Sequence, residues 1–251
     1  MLDTVIVTSD VMGTCWAHAL TTEKEEIMGL LIGKMENDVL VISALKVIKR
    51  LTKQRDRVEF DNTDLIAASE FAESLPGSLK VQGWYHSHPH FTVHPSHVDL
   101  TTQSGYQMMD PNFVGLIFSV FNYDPKTNID SKEVVAFQSK VDGSGSNKCH
   151  YVKLRVKKNL EGLKKPVLDA LSSIPNIFKE EELDEYEKAC KSSGQVMDKV
   201  YNQACFVTHV TKQFSLVTGP ILDSIQVQKN MLNDRIRELE KMKRDLEKQL
   251  F

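Results

Sequence analysis

Apolar and polar positions at the start of the chain switch between the two-residue period of strands and the wider spacing of helices. The run TVIVTS has strand composition, and residues 10–22 after it have helical spacing. Residues 29–50 then form two apolar runs separated by Glu36-Asn37-Asp38, a polar triplet that is typical of a hairpin turn. We therefore expect a strand, a helix and a β-hairpin in this order.

Two helices and four strands are expected next. The helices are 61–74 and 96–109, each of which opens with capping residues. The strands are 78–88, 112–121, 133–140 and 150–157, the last two around a flexible stretch rich in glycine and serine. Together these elements predict an α+β domain over residues 1–173, with a mostly antiparallel sheet flanked by helices.

The composition changes from about Pro175 to long, charged, helix-favouring sequence. We expect a separate helical region over residues 174–251, interrupted only near 192–194 and 219–220, where serine, glycine and proline occur.

A seven-residue apolar repeat marks residues 221–251 as a coiled coil. The repeat consists of Ile225, Leu232, Leu239 and Leu246, with Leu222, Ile236 and Leu250 at companion positions. Lys229 and Lys243 on the same seam are polar, which costs stability but can fix register and the choice of partner. Such a helix could fold back on its own domain, because periodicity does not distinguish self from partner, but we favour an intermolecular helical bundle.

Composition narrows the class of protein. The chain has 251 residues, 41% of them hydrophobic, which is enough for a substantial core, and a net charge of -3 that argues against nucleic-acid binding. Its first residues have neither the basic start nor the apolar run of a signal peptide, and no membrane span is expected. The four cysteines lack CxxC spacing. An intracellular protein with reduced thiols is therefore expected.

Five of the eight histidines lie between positions 86 and 97. In the strand expected there, His86 and His88 share a face at a spacing of about 6.5 Å, so their rings could converge on one metal ion. Asp99 is the natural third ligand, because it falls in the first turn of the helix that Ser96 would cap. Two histidines and one aspartate leave a tetrahedral zinc with one open position for a water, a hydrolytic arrangement. Ser96 and Asp99 could equally be an ordinary capping pair.

A zinc hydrolase also needs a base beside the metal, and Glu26 is the candidate. It is the last acid before an apolar strand, so the chain can carry its carboxylate into the interior. The alternative is a solvated acidic turn that includes Glu23 and Glu25. The remaining histidines of the cluster, at positions 90, 94 and 97, are expected on the rim without a catalytic role, since one zinc cannot use them all.

Taken together, Glu26-x-x-Gly29-Leu-Leu-Ile-Gly33, His86-Ser-His88-Pro and Ser96-x-x-Asp99 resemble the signature of the JAMM (MPN-plus) metalloproteases, and every position of the signature is filled. The resemblance implies that His86, His88 and Asp99 are zinc ligands. It further implies that Glu26 is the general acid/base and that Ser96 helps to hold the tetrahedral intermediate. Members of this family hydrolyse isopeptide bonds to ubiquitin or ubiquitin-like proteins.

Within the family, the sequence around the motifs and the helical tail resemble the BRCC-type branch over the whole chain. That resemblance implies selectivity for lysine-63-linked polyubiquitin and a pseudo-catalytic, MPN-minus partner of the Abraxas type, bound through the MPN domain and the C-terminal helices in a higher-order hetero-oligomer. It also implies a location in cytoplasm and nucleus. One zinc per chain is expected, because Cys149-His150 lacks the companions of the second, structural zinc found in another branch.

Two other functions remain open at this point. The chain could be a non-catalytic MPN scaffold, although a missing ligand would be expected in that case, or an isopeptidase for another ubiquitin-like protein or linkage. Ubiquitin contacts are expected in residues 50–78 and in the turn at 90–95.

Overall fold

The computed structural model describes residues 1–50, 62–124, 126, 129–143, 145–159, 162–192 and 194–250. In chain order the elements are β1 Thr4–Thr8, α1 Ser9–Ala19, β2 Met28–Glu36, β3 Val39–Val47, α2 Asn62–Ser74, β4 Lys80–Pro89, α3 His97–Met109, β5 Val114–Asp124, β6 Ile129–Val141, β7 Asn147–Lys157, α4 Lys165–Ser192 and α5 Val196–Leu250. Each strand and helix predicted up to residue 157 is present.

The strands close into a barrel in the order β1-β3-β2-β4-β5-β6-β7, with β7 paired to β1. Among the described strands, β1 is parallel to both neighbours and β4 is parallel to β5, whereas the other pairings are antiparallel. The prediction of a mostly antiparallel sheet therefore missed both the closure and the parallel pairs. A crossover helix such as α3 makes the strands on either side of it run the same way, and a two-residue period carries no information on direction.

The predicted hairpin between β2 and β3 is confirmed. Asn37 and Asp38 have φ angles of 49° and 62°, the left-handed conformation that two-residue hairpin turns require and that Asn and Asp tolerate. The strands on either side pair from Glu36 with Val39 inward. A bulge between Ile32 and Gly33 then shifts the register. This hairpin carries the residues that follow Glu26 into the wall of the barrel.

Helix α4 begins on the barrel and continues into the C-terminal helical region. Its first half packs on the barrel through Val167, Leu171, Ile174 and Phe178, which are buried and spaced four, three and four residues apart along one helix face. The predicted boundary between residues 173 and 174 falls inside this helix, and Pro175, where the composition changes, also lies within it. The apolar side of α4 is therefore part of the core around the barrel.

Helix α5 runs antiparallel to α4. Tyr186 stacks on Phe206 with ring centroids 5.2 Å apart, and farther along, Gln228 Nε2 donates to the carbonyl of Leu163 at 3.0 Å. The predicted interruption near 192–194 is confirmed, because α4 ends at Ser192 and α5 begins at Val196. The predicted break near 219–220 is wrong, since α5 continues through it. A proline costs the helix one backbone hydrogen bond, which the favourable sequence on both sides can offset.

Beyond its contact with α4, helix α5 leaves its apolar repeat exposed. Leu232, Ile236, Leu239 and Leu246 are each about half exposed in this chain. The helices also carry many charges. Among the described residues, no helix is long and apolar enough to cross a membrane.

Candidate active site

Strand β4 presents the two predicted histidine ligands on one face. His86 and His88 are both buried, and their Nε2 atoms lie 3.0 Å apart. Ser87 between them faces the other way, where its Oγ accepts a hydrogen bond from the backbone of Ile27 at 3.0 Å. The two-residue period of a strand thus directs both imidazoles to the same point, as the sequence predicted.

Asp99 completes the cluster from the first turn of α3. Its Oδ1 is 3.3 Å from His86 Nε2 and its Oδ2 is 3.5 Å from His88 Nε2. One ligand atom from each of the three residues lies within 4.8 Å of the others. The sequence separates these residues by up to thirteen positions, and the neighbouring placement of β4 and α3 brings them together.

The capping interpretation of Ser96 and Asp99 is also correct. The backbone N–H of Ser96 donates to Asp99 Oδ2 at 2.6 Å, and the N–H of Asp99 donates to Ser96 Oγ at 3.2 Å, which is a full capping box. The cap fixes the carboxylate while Oδ1 still faces His86. The Asp99 side chain therefore both takes part in the helix cap and faces the histidines.

The spacing of the three ligand atoms fits zinc. Two ligands at 2.0–2.1 Å from a tetrahedral zinc are separated by about 3.3 Å. The two histidine Nε2 atoms are 3.0 Å apart and Asp99 Oδ1 is 3.3 Å from His86 Nε2, while the 3.5 Å distance to His88 Nε2 is measured from the other oxygen, Oδ2. The His, His, Asp set supplies three ligands and leaves a fourth position for substrate or water, as catalytic zinc sites do. The residues present therefore fit this metal.

Neighbouring groups orient the two imidazoles. His88 Nδ1 lies 2.8 Å from the carbonyl of Thr92, so it donates there and leaves the lone pair of Nε2 directed at the cluster, where it could bind a metal. His86 stacks on the Trp84 ring with centroids 4.5 Å apart. Trp84 is itself held by a hydrogen bond from its Nε1 to Gln103 of α3 at 2.8 Å. Both rings are thus fixed from outside the cluster.

Electrostatics in the cluster favour a charged carboxylate between the rings. Burial would raise the pKa of Asp99, but the charge of His86 and hydrogen bonds from His86, His88 and the Ser96 backbone outweigh it and hold that pKa far below its usual value. Burial lowers the pKa of His86. For His88, burial is outweighed by hydrogen bonds to Asp99 and to the Thr92 carbonyl, which raise its pKa.

Glu26 lies beside the cluster, as predicted. It is buried, and its Oε1 is 3.9 Å from His88 Nε2. The next residue, Ile27, is tied to Ser87 of β4 by hydrogen bonds in both directions, which fixes the chain next to the histidines. The alternative of a solvated acidic turn holds for Glu23, which is exposed, but not for Glu26.

The remaining predicted residues lie at the surface around the cluster. Ser96 is exposed, and because its Oγ accepts from Asp99, its hydroxyl proton remains available to donate outward. His90, His94 and His97 are exposed. His90 pairs with Glu23 at 3.2 Å, and His94 bonds to a tyrosine of β7.

Two residues near the site were missed by the sequence analysis. Arg50 donates to the Glu26 carbonyl from Nη1 at 3.1 Å and is paired with Glu181 of α4. The 131 positions between Arg50 and Glu181 give no local pattern from which this contact could be read. Ser87 was likewise hidden, because its position was counted only as the spacer of the histidine motif.

A barrel that brings together a buried glutamate, two histidines and an aspartate, in this order along the chain, is typical of JAMM-type metalloproteases of the MPN class. In agreement, residues 1–112 match the family model described as JAB1/Mov34/MPN/PAD-1 ubiquitin protease, and residues 167–246 match the model described as BRCC36 C-terminal helical domain.

Curated relatives cover nearly the whole chain. The "Lys-63-specific deubiquitinase BRCC36" of Xenopus laevis is 36% identical over 98% of this chain and 97% of its own length. The "Lys-63-specific deubiquitinase BRCC36-like" of Mus musculus is 36% identical over 98% of this chain and 95% of its own length. The Camponotus floridanus relative, also named BRCC36, is 34% identical over 98% of this chain and 96% of its own length. The chain belongs to the BRCC36 family.

Proposed function

We propose that this protein is a zinc-dependent deubiquitinase that hydrolyses isopeptide bonds in lysine-63-linked polyubiquitin. The observation that carries the proposal is the convergence of three ligand atoms within 4.8 Å, with the Glu26 carboxylate 3.9 Å from His88. A structural zinc site would be closed by a fourth protein ligand, whereas three ligands and a neighbouring acid suit hydrolysis. The linkage follows from the names of the relatives.

His86, His88 and Asp99 would hold the metal, and all three are buried on one side of β4 and α3. A zinc ion bound there supplies Lewis acidity and lowers the pKa of water toward neutrality. Asp99 contributes the negative charge that offsets the cation, and the Thr92 carbonyl keeps His88 in the correct tautomer. The expected stoichiometry is one zinc per chain.

Glu26 is the proton carrier in this proposal. Its carboxylate takes a proton from the attacking water as the oxygen of that water bonds to the isopeptide carbon. It then gives the proton to the lysine nitrogen as the carbon–nitrogen bond breaks, which leaves the ubiquitin carboxylic acid and a free amine; the acid proton then passes to the amine, giving carboxylate and ammonium. Burial near His88 places Glu26 where both transfers can occur without competing bulk water.

Ser96 would stabilise the negative charge that develops on the carbonyl oxygen. Its Oγ is fixed as the cap of α3 by accepting from the Asp99 N–H, and the cap does not use its proton. A donor fixed before the reaction costs no reorganisation when the charge forms.

The proposed partner is a pseudo-catalytic, MPN-minus subunit of the Abraxas type. The exposed apolar repeat of α5 supports this, because half-exposed leucines at seven-residue spacing are typical of a coiled-coil seam without its partner helix. The match of residues 167–246 to a domain model of its own supports a dedicated role for this region. Assembly into a higher-order hetero-oligomer, in cytoplasm and nucleus, is part of the proposal.

Ubiquitin is expected to contact residues 50–78 and the turn at 90–95. Residues 51–61 lie outside the described residues. The turn lies directly beside the cluster, since the Thr92 carbonyl contacts His88 and the Phe91 carbonyl accepts from Ser119 of β5.

The test is cleavage of a panel of linkage-defined diubiquitins by the purified chain, alone and with an Abraxas-type partner, each with and without chelator. Chelator-sensitive cleavage of the lysine-63 linkage above all others is the expected result. Preference for another linkage would indicate a sibling isopeptidase. No cleavage of any linkage in either preparation would indicate another ubiquitin-like substrate if the chain holds stoichiometric zinc, and a scaffold if it holds none.

A further inference from the structure

A buried ion pair joins helix α4 to the loop that carries Glu26. Arg50 follows β3, and its side chain is only 3% exposed; the Glu181 side chain on α4 is 2% exposed. The guanidinium Nη2 donates to Glu181 Oε2 at 2.6 Å, and Nε lies within 3.2 Å of both carboxylate oxygens. The backbone N–H of Arg50 also donates to Oε1 at 2.7 Å, so the carboxylate fixes the side chain and main chain of Arg50 together.

The remaining guanidinium nitrogen is directed at the active-site loop. Nη1 donates to the carbonyl of Glu26 at 3.1 Å and to Glu25 Oε2 at 3.0 Å. The planar fork of an arginine can hold two partners in fixed directions at once, which a lysine ammonium cannot do. Arg50 therefore connects α4 to the backbone of Glu26.

Residue 26 is held from two sides. On one side Arg50 binds its carbonyl, and on the other the next residue, Ile27, is bonded to Ser87 of β4 in both directions. Ser87 lies between the two histidines. The direction of the Glu26 side chain is set by the backbone between these two anchors.

We propose that Arg50 and Glu181 are positioning residues that hold the backbone of Glu26 so that its carboxylate faces the histidine cluster. This inference rests on the proposed function, in which Glu26 transfers the proton. A base displaced by about 1 Å can lose two orders of magnitude in rate, so a fixed backbone has a direct effect on turnover. Neither residue is a catalytic group in this role, because Arg50 acts on the Glu26 carbonyl and Glu181 acts through Arg50.

A consequence concerns the C-terminal region. Glu181 lies within residues 167–246, the part that matches the C-terminal helical model, and not within residues 1–112 of the protease model. The helical region thus supports the active site from within the chain, in addition to any role in binding a partner. Its contact point is one turn past Phe178, whose ring lies 5.7 Å from the guanidinium carbon of Arg50.

The test compares paired variants in whichever preparation, chain alone or chain with partner, cleaves lysine-63-linked diubiquitin. The double variant Arg50→Met/Glu181→Leu removes both buried charges together, which proteins often tolerate, and it leaves the Glu26 carbonyl without its donor. The kcat should fall on the order of 10- to 100-fold, while KM stays within about two-fold and zinc remains at one per chain.

Asp184→Asn is the matched control. Asp184 pairs with Lys49 at 2.7 Å and joins the same two segments as Arg50 and Glu181, but it does so at the surface. Its loss should leave kcat unchanged, which separates the positioning effect from a general loosening of α4. The melting temperature and zinc content are measured for every variant.

A folded double variant with wild-type kcat would overturn the inference. If that variant does not fold, Arg50→Lys is the deciding variant, because it keeps the charge but cannot hold Glu181 and the Glu26 carbonyl in the same fixed directions. Reduced kcat with zinc content and KM retained supports the inference. Wild-type kcat overturns it. Glu26→Gln and chelator are run in parallel. If either leaves cleavage intact, the proposed function fails. If both abolish cleavage but the double variant has wild-type kcat, only the positioning role of Arg50 and Glu181 is ruled out.

Discussion

At the scale of single residues, Glu26 and Glu25 are adjacent acids with different environments. Glu26 is buried with its carboxylate beside His88, whereas the Glu25 side chain is 30% exposed and contacts Arg50 from the solvent side. Burial begins at Glu26 and continues through residue 33, so one position decides which acid reaches the cluster.

This difference gives the first prediction. Glu26→Gln should keep zinc at the wild-type level, because it changes no ligand, but should lower kcat by about 10²–10⁴-fold, since an amide cannot carry the proton. The matched control Glu25→Gln should stay near wild-type kcat. Zinc analysis and steady-state cleavage of lysine-63-linked diubiquitin measure both effects, and an active Glu26→Gln protein would remove Glu26 from this role.

His18 is a second residue whose surroundings decide its charge. Its Nδ1 lies 2.9 Å from the hydroxyl of Tyr85, and burial, together with the charge of Arg50, lowers the pKa of His18 to about 3. An unfolded chain would bind this proton below about pH 6.5. The free energy of unfolding that His18 contributes is thus complete above pH 6.5 and decreases as the pH falls toward 3.

The second prediction follows from this loss of stability at low pH. The stability of the wild type relative to His18→Gln should decrease by up to about 1.4 kcal/mol for each pH unit below 6.5. Urea unfolding of both proteins between pH 4.5 and 7.5 measures it. A stability difference that is constant across this range would show that His18 does not become charged on unfolding.

At the scale of elements, the start of helix α3 combines two functions of Ser96. The hydroxyl oxygen caps the helix, and its proton is the proposed donor to the oxyanion. Two substitutions separate these functions, because glycine is a nearly adequate cap and alanine is not.

The third prediction compares Ser96→Ala with Ser96→Gly. Ser96→Ala should lower the free energy of unfolding by about 1 kcal/mol and Ser96→Gly by only a few tenths. Both should lower kcat by the same factor, about 10²–10³, since both lack the hydroxyl donor. Thermal unfolding and kcat are measured in parallel. Turnover that follows stability across the two variants would mean that Ser96 acts only as a cap.

Elements that depend on local pattern were predictable from the sequence, and so was the candidate site. The spacing of His86 and His88 and the capping signal at Ser96 are local features, and each led to the observed placement. Closure of the barrel depends on pairing between β1 and β7, which are about 150 residues apart. No short-range repeat in the sequence indicates such a distant pairing. The contact between Arg50 and Glu181 was hidden for the same reason. Gly219 suggested a break in α5 that the helix does not have.

At the scale of the whole molecule, the barrel and the far part of α5 differ in how they bury apolar side chains. The barrel encloses the cluster, while α5 extends beyond its contact with α4 and leaves Leu232, Leu239 and Leu246 about half exposed. Exposed leucines at seven-residue spacing contribute little to the stability of the single chain and much to a bundle with a partner.

The fourth prediction concerns this surface. Leu232→Gln/Leu239→Gln should change the stability of the isolated chain by no more than about 0.5 kcal/mol, because both side chains are half exposed. The same variant should lose binding to an Abraxas-type partner. Lys241→Gln, which changes an exposed residue on the opposite side of the same stretch of helix, is the control that should bind normally. Sedimentation of the mixed proteins measures binding, and a variant that binds as the wild type would exclude this seam from the interface.

In the proposed function, three buried side chains hold one zinc on which hydrolysis depends. This dependence is measured by removing the metal with chelator from a preparation that cleaves lysine-63-linked diubiquitin and then titrating zinc back while cleavage is followed. Cleavage should disappear on removal of the metal and return in full at one zinc per chain. Cleavage that continues after complete removal of the metal would rule out the zinc-dependent mechanism.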